Sequence, residues 1–146
     1  MTHVGVGWLI LEALRDREYR IHFLVGCVLP DVEKVYVLVG FVWPSYEGLV
    51  QAFFEPTHTI MGALLLSVIS TLAFRTNGKR AFANSVKALS LGAMLHLAID
   101  SLIFLEESKG LRLLWPITST RYGISLFHLG DWRLAAATSI LCLLAA

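Results

Sequence analysis

The strongest constraint on the fold is a stretch of about 18 consecutive residues, 57–74, that contains no formally charged side chain. A helix needs about 20 mostly apolar residues to cross the hydrocarbon core of a bilayer, so this stretch is nearly long enough to span it. A second, longer apolar stretch covers 81–105. Over the whole chain 56% of the residues are hydrophobic and 16% are charged, whereas soluble domains carry about 25% charged residues. The sequence therefore predicts an integral membrane protein.

The other apolar segments are shorter, and one of them contains a proline. They cover 4–14, 21–29, 35–43 and 134–146, and the last one is too short to span a bilayer unless 123–132 extends it. Pro30 cannot donate a backbone hydrogen bond and disfavours helix at Leu29, which predicts a break at 29–31. Such a break is tolerated at membrane depth only inside the protein. The 146 residues suit one domain, predicted to be an all-α, membrane-embedded helical bundle with a broken helix near Pro30.

Charge and cysteine content exclude some classes. A formal net charge of +1 disfavours a nucleic-acid-binding protein, which needs a basic surface to neutralise phosphates. Cys27 and Cys142 both lie in apolar runs, where we expect small hydrophobic side chains rather than a disulfide. The first 14 residues lack a basic start and contain Glu12, so we interpret them as mature structure rather than a signal peptide.

Five ionisable residues lie where a membrane helix does not favour them: His3, Asp31, His58, His96 and Asp100. Such groups are costly unless paired or coordinated, and are functional candidates by default. His96 and Asp100 are spaced i, i+4, which places both on one helical face. The alternatives are a self-neutralising His–Asp hydrogen bond, a helix cap at Asp31 and interfacial histidines.

The position of these residues along the chain predicts that they converge. At about 1.5 Å per helical residue, they lie about 16–25 Å from the basic turns 15–20 and 75–80. Short basic loops remain cytoplasmic, so the five residues should face the extracytoplasmic leaflet of the inner or plasma membrane. Three imidazoles and two carboxylates suit Zn²⁺, with Mn²⁺ or Fe²⁺ as competitors and one or two ions bound.

Several short motifs carry a family resemblance by their order and spacing. They are Met1-Thr2-His3, Leu29-Pro30-Asp31, Pro56-Thr57-His58-Thr59, His96-xxx-Asp100 and Gly110-Leu111-Arg112-Leu113-Leu114-Trp115-Pro116. In these motifs the chain resembles the YdjM-type family, described as inner-membrane-associated metal-dependent hydrolases and sometimes labelled LexA-binding.

The family is distantly similar to zinc-dependent phospholipases C and related single-strand nucleases, which implies a phospholipase C-like helical core. By this resemblance Asp31, His58, His96 and Asp100 would form one metal site, and His3 with Asp100, helped by the N-terminal amine, a second. A third site would need His128 and Asp131.

The chain departs from the family in one motif. Members commonly show a His-Arg-Gly-x-Thr-His run, whereas this chain has Phe53-Phe54-Glu55-Pro56-Thr57-His58. The first His and the Arg are therefore missing, and Glu55 is the acidic group that could substitute. Glu33 stands where a second acid usually follows the Pro-Asp pair.

The predicted function is that of a metal-dependent membrane hydrolase that cleaves a phosphoester of a lipid or amphipathic substrate with metal-activated water. Asp31, Glu33 or Glu55 would accept the proton of that water. Arg112 and Arg121 could bind a phosphate, although interfacial snorkelling explains them as well. Two alternatives stay open: a non-catalytic metal-binding or cation-transport protein, and an adaptor that binds a soluble regulator through its basic turns.

Overall fold

The helical prediction can be compared with a computed structural model that describes residues 2–14, 18–33, 56–74, 78–104, 110–124, 126–128 and 132–145. Two strands of two residues each pair in parallel, Ile103 with Phe127 and Phe104 with His128. The remaining regular elements are helical, as predicted. They are α1 (Thr2–Leu14), α2 (Arg20–Gly26), a 3-10 helix (Leu29–Glu33), α3 (Ile60–Ala73), α4 (Lys79–Ser101) and α5 (Trp132–Ala145), with β1 (Ile103–Phe104) and β2 (Phe127–His128) between α4 and α5.

The predicted break near Pro30 is confirmed. Helix α2 ends at Gly26, and the chain continues through a turn into the 3-10 helix. Pro30 is buried, whereas Val28 and Val32 on either side of it are 47% and 43% exposed, so the break packs inside the protein on one side. Helix α2 ends at Gly26 because Pro30 has no N–H to donate to the carbonyl oxygen four residues earlier. The predicted segment 35–43 lies outside the described residues.

One predicted helix boundary is wrong. Helix α3 begins at Ile60 rather than at residue 57, because the Thr59 side chain caps it by accepting a hydrogen bond from Gly62 N at 2.9 Å. Helix α5 begins at Trp132. The described residues before it do not lengthen it, because Phe127 and His128 form β2 and Ile124 N donates a hydrogen bond to Ser101 O at the end of α4 at 2.8 Å.

Among the helices in the described ranges, only α4 is long and apolar enough to cross a membrane. Helices α3 and α5 are apolar but have 14 residues each, which is below the usual length of a span. Helix α4 packs against α1, α2 and α3, while α5 packs on α1. The described part of the chain therefore offers one candidate span, at the centre of the helical packing.

The packing of α2 on α4 depends on glycine. A Cβ atom added at Gly92 would overlap the carbonyl oxygen of Phe23, and one added at Gly26 would overlap that of Leu89. Backbone therefore lies directly against backbone where the two helices meet. Small residues permit such an approach, which brings the end of α2 to the middle of α4.

We expect Gly92→Val to destabilise the protein by about 3 kcal/mol, because the added side chain must push α2 away from α4. Thermal unfolding in detergent would measure this effect. Ala98→Val adds two carbons at an exposed position of the same helix and should change the unfolding temperature little. Equal effects of the two substitutions would contradict the close contact.

Candidate metal centre

The five predicted site residues come together at one end of the helices. His3 lies at the start of α1, Asp31 in the 3-10 helix, and His58 in the turn before α3. His96 and Asp100 lie in the last two turns of α4. Four separate segments therefore supply one cluster, which is the convergence that the helix lengths predict.

Asp100 contacts all three imidazoles. Its Oδ1 lies 2.8 Å from Nε2 of His3, and its Oδ2 lies 3.1 Å from Nε2 of His96 and 3.5 Å from Nε2 of His58. Asp31 Oδ1 lies 3.5 Å from Nε2 of both His58 and His96. Three imidazole nitrogens thus face two carboxylates.

These distances define two overlapping groups of candidate ligands. The donor atoms of His3, His96 and Asp100 lie within 4.8 Å of one another, and so do those of Asp31, His58 and His96. His96 belongs to both groups but offers one nitrogen to them. Asp100, in contrast, directs one oxygen to His3 and the other to His58 and His96. The arrangement suits one ion, or two ions bridged by Asp100.

The tautomer of His96 follows from its surroundings. Its Nδ1 lies 2.7 Å from the carbonyl oxygen of Cys27. A carbonyl can only accept, so Nδ1 carries the proton. In the neutral ring the lone pair of Nε2 then faces Asp100 Oδ2. Metal-ligating histidines commonly hold their other N–H in the same way, on a carbonyl or carboxylate.

This arrangement requires positive charge between His96 and Asp100. Nε2 of His96 is fully buried, and Asp100 Oδ2 lies 3.1 Å from it. A lone pair and a carboxylate oxygen repel each other at 3.1 Å unless a proton or a metal ion lies between them. The donor set of imidazole nitrogens and carboxylate oxygens is one that divalent transition metals bind.

The turn before α3 fixes His58. Thr59 Oγ1 donates to Pro56 O at 2.8 Å while it caps α3, and Thr57 Oγ1 lies 3.1 Å from His58 Nδ1. Thr57, His58 and Thr59 are all buried. Thr57 therefore contacts the imidazole directly, whereas Thr59 holds the backbone of the turn that carries it.

The cluster is closed on one side and partly open on another. His58 and His96 are buried, whereas the side chains of His3, Asp31 and Asp100 keep between 16% and 19% of their surface exposed. The His3 ring stacks on His96 with centroids 4.0 Å apart. Water can therefore reach His3 and both carboxylates, but not the buried His58 and His96.

Some predicted residues cannot be placed. The backbone of Glu33 belongs to the 3-10 helix and that of His128 to β2, but their side chains are not among the described parts of the structure. Glu55, Asp131 and the N-terminal amine also lie outside the described residues. Arg121 Nη1 donates to Gly110 O at 3.2 Å, so at least one of its N–H groups serves the loop 110–124.

Sequence analysis missed Cys27. Its backbone carbonyl orients His96, a role for which the only signal is that carbonyls at a helix end lack partners within the helix. Its thiol lies against Gly7 of α1 and belongs to neither group of candidate ligands. Cys27 and Cys142 are both free, which confirms the expectation that they form no disulfide.

Comparison with known proteins gives one family. The model of a family described as YdjM inner membrane protein matches residues 1–146, the whole chain. No curated protein and no solved structure matches the chain. The family description and the candidate span in α4 together support a membrane location.

We expect Nδ1 of His96 to be protonated with and without added metal, because the Cys27 carbonyl accepts its proton in either case. Long-range ¹H–¹⁵N correlation spectra of ¹⁵N-histidine-labelled protein in detergent would show this. His96→Gln would assign the signal. An unprotonated Nδ1 would contradict the proposed orientation.

Proposed function

The chain belongs to the YdjM inner membrane protein family, and we propose that it is a metal-dependent membrane hydrolase that cleaves a phosphoester of a lipid or amphipathic substrate. The observation that carries this proposal is the buried His96 nitrogen that faces a carboxylate oxygen at 3.1 Å, beside two further imidazoles and a second carboxylate. Ionisable groups in such a location are costly unless they are paired or coordinated, and a divalent cation would coordinate several of these groups at once.

Four residues, Asp31, His58, His96 and Asp100, would hold one divalent ion, and His3 with Asp100 a second. Zn²⁺ suits this mixture of nitrogen and oxygen donors best, with Mn²⁺ or Fe²⁺ as competitors. When bound, such an ion lowers the pKa of its water towards neutrality and polarises a phosphoryl oxygen.

The protein's own residues would supply the proton transfer. Asp31 would accept the proton of the attacking water, and its partial exposure beside His58 and His96 supports this role. Glu33 and Glu55 are further candidates. The phosphoester would approach the partly exposed side chains, which are those of His3, Asp31 and Asp100. The Cys27 carbonyl keeps His96 in one tautomer.

We further propose an integral membrane helical bundle with a phospholipase C-like helical core and a site that faces the extracytoplasmic leaflet. Support comes from the ends of the helices. The cluster lies at the start of α1, before α3 and at the end of α4, whereas the opposite ends lead to the basic turns 15–20 and 75–80. Basic turns of this kind remain cytoplasmic.

A cation-transport or other non-catalytic metal-binding protein is the second candidate. It is favoured by the location of His96 and Asp100 within the candidate span, where ionisable residues often mark ion pathways. Metal binding without hydrolysis, together with ion flux in liposomes, would select this function.

We expect the purified protein to contain zinc and to hydrolyse a phosphodiester, and the double variant His96→Ala/Asp100→Ala to lose most of both. Elemental analysis and release of nitrophenol from bis(4-nitrophenyl) phosphate would measure the two properties. Loss of a residue that hydrogen-bonds to a metal ligand commonly costs about 10–100-fold in metal affinity or activity. Loss of two direct ligands should cost at least as much.

His22→Ala is the matched control. His22 packs against the rings of Tyr19 and Phe74, away from the cluster, so its loss should leave the zinc content and the turnover unchanged. Full metal occupancy in the double variant would reject the site. Full occupancy of the wild type without turnover on soluble and lipid phosphoesters would reject the hydrolase.

The proposed orientation predicts which single cysteines an impermeant maleimide reaches in intact cells. In a background with Cys27→Ala and Cys142→Ser, Ile117→Cys should be labelled and Lys79→Cys spared. Ile117 is 83% exposed in a loop whose Leu113 carbonyl accepts from Ile60 N at the start of α3. Lys79 begins α4 at the opposite end. The reverse pattern would place the site on the cytoplasmic side.

A further inference from the structure

An apolar groove runs along α2 and reaches the metal-centre cluster. Its volume is about 560 Å³, within the range of about 300–1,000 Å³ that is common for small-ligand sites. Its lining is apolar apart from Asp31, and includes Ile21, Leu24, Val25 and Val28. The groove therefore offers an apolar wall with a carboxylate as its only charged side chain among the described lining residues.

The apolar lining residues form a row. Ile21, Leu24 and Val25 are spaced i, i+3, i+4 on α2, and Val28 continues the row in the following turn. From Ile21 to Val28 this row is about 10 Å long at helical rise. Ile21 and Val28 are 74% and 47% exposed. An extended, unbranched apolar molecule would cover this row.

The groove meets the cluster at Asp31. Asp31 lines it, and Asp31 Oδ1 lies 3.5 Å from Nε2 of both His58 and His96. Val4, the chain neighbour of His3, lines it as well. A ligand in the groove thus places one end beside the carboxylates and imidazoles.

From this continuity we infer that the groove holds one acyl chain of a membrane phospholipid whose phosphate lies at the cluster. The inference rests on the proposed function, because a phosphate approaches Asp31 and Asp100 only when a cation neutralises them. A partner helix would set its own side chains against the Asp31 carboxylate. An acyl chain instead ends in a phosphate-bearing headgroup, which matches the change from apolar to ligating residues.

A photoreactive lipid tests the inference through binding alone. The protein is placed in zinc-containing nanodiscs with a small fraction of phosphatidylglycerol that carries a diazirine in the middle of one acyl chain. After irradiation, adducts are located by mass spectrometry. We expect adducts on Leu24 and Val25 to exceed those on outward-facing residues of α3 by about fivefold or more, the selectivity of a site over bulk lipid contact.

Two matched substitutions make the test specific. Val28→Trp fills the groove and should reduce the adducts on Leu24 and Val25 by about fivefold or more, as overpacking of a fitted site does. Val68→Trp makes the same change on α3, at a position that is 37% exposed and outside the lining described for the groove, and should leave those adducts unchanged. Uniform labelling, or equal effects of both substitutions, would overturn the inference.

Hydrolysis assays separate failure of the groove from failure of the hydrolase. Val28→Trp should lower turnover of the long-chain lipid and spare turnover of bis(4-nitrophenyl) phosphate. Equal loss on both substrates would overturn the assignment of the groove while the hydrolase stands. Selective labelling without hydrolysis of either substrate would support the groove and reject the hydrolase.

Discussion

The rest of the site depends on the position of His96, between the Cys27 carbonyl on one side and the Asp100 carboxylate on the other. The two distances are 2.7 Å and 3.1 Å. The first contact joins the end of α2 to α4, and it exists because Gly26 and Gly92 let the two backbones touch. The second directs the other ring nitrogen into the cluster. Packing of two helices therefore sets the tautomer of one imidazole, and through it the chemistry of the site.

The charges of the cluster explain why this geometry needs a partner. Asp31 and Asp100 place two carboxylates beside three imidazoles at the end of an apolar helix. Burial of such groups is costly unless they are paired or coordinated. A divalent ion would neutralise both carboxylates at once. It would also permit an anionic phosphate to approach along the groove beside α2. Binding of the lipid would therefore depend on binding of the metal.

Much of this arrangement could be predicted from the sequence, because it follows from local rules. Proline chemistry predicted the break near Pro30, and the i, i+4 spacing placed His96 and Asp100 on one face. Helix rise predicted that His3 and His58 reach the same level, and the structure brings them there. The predicted helix start at residue 57 was wrong because the threonine cap decides where α3 begins. The role of the Cys27 carbonyl joins residues 69 positions apart, which no local pattern reveals.

The central claim, that the cluster of histidines and aspartates holds a divalent ion, is tested most directly by X-ray absorption at the zinc edge of the detergent-purified protein. We predict that zinc has a first shell of nitrogen and oxygen donors at about 2.0–2.2 Å with imidazole scattering, and no sulfur at about 2.3 Å. This spectrum should be lost in His96→Ala/Asp100→Ala and kept in His22→Ala. Sulfur scattering in the first shell would show that a cysteine binds the metal. A spectrum unchanged by the double substitution would show that the ion binds elsewhere, and would contradict its assignment to the cluster of histidines and aspartates.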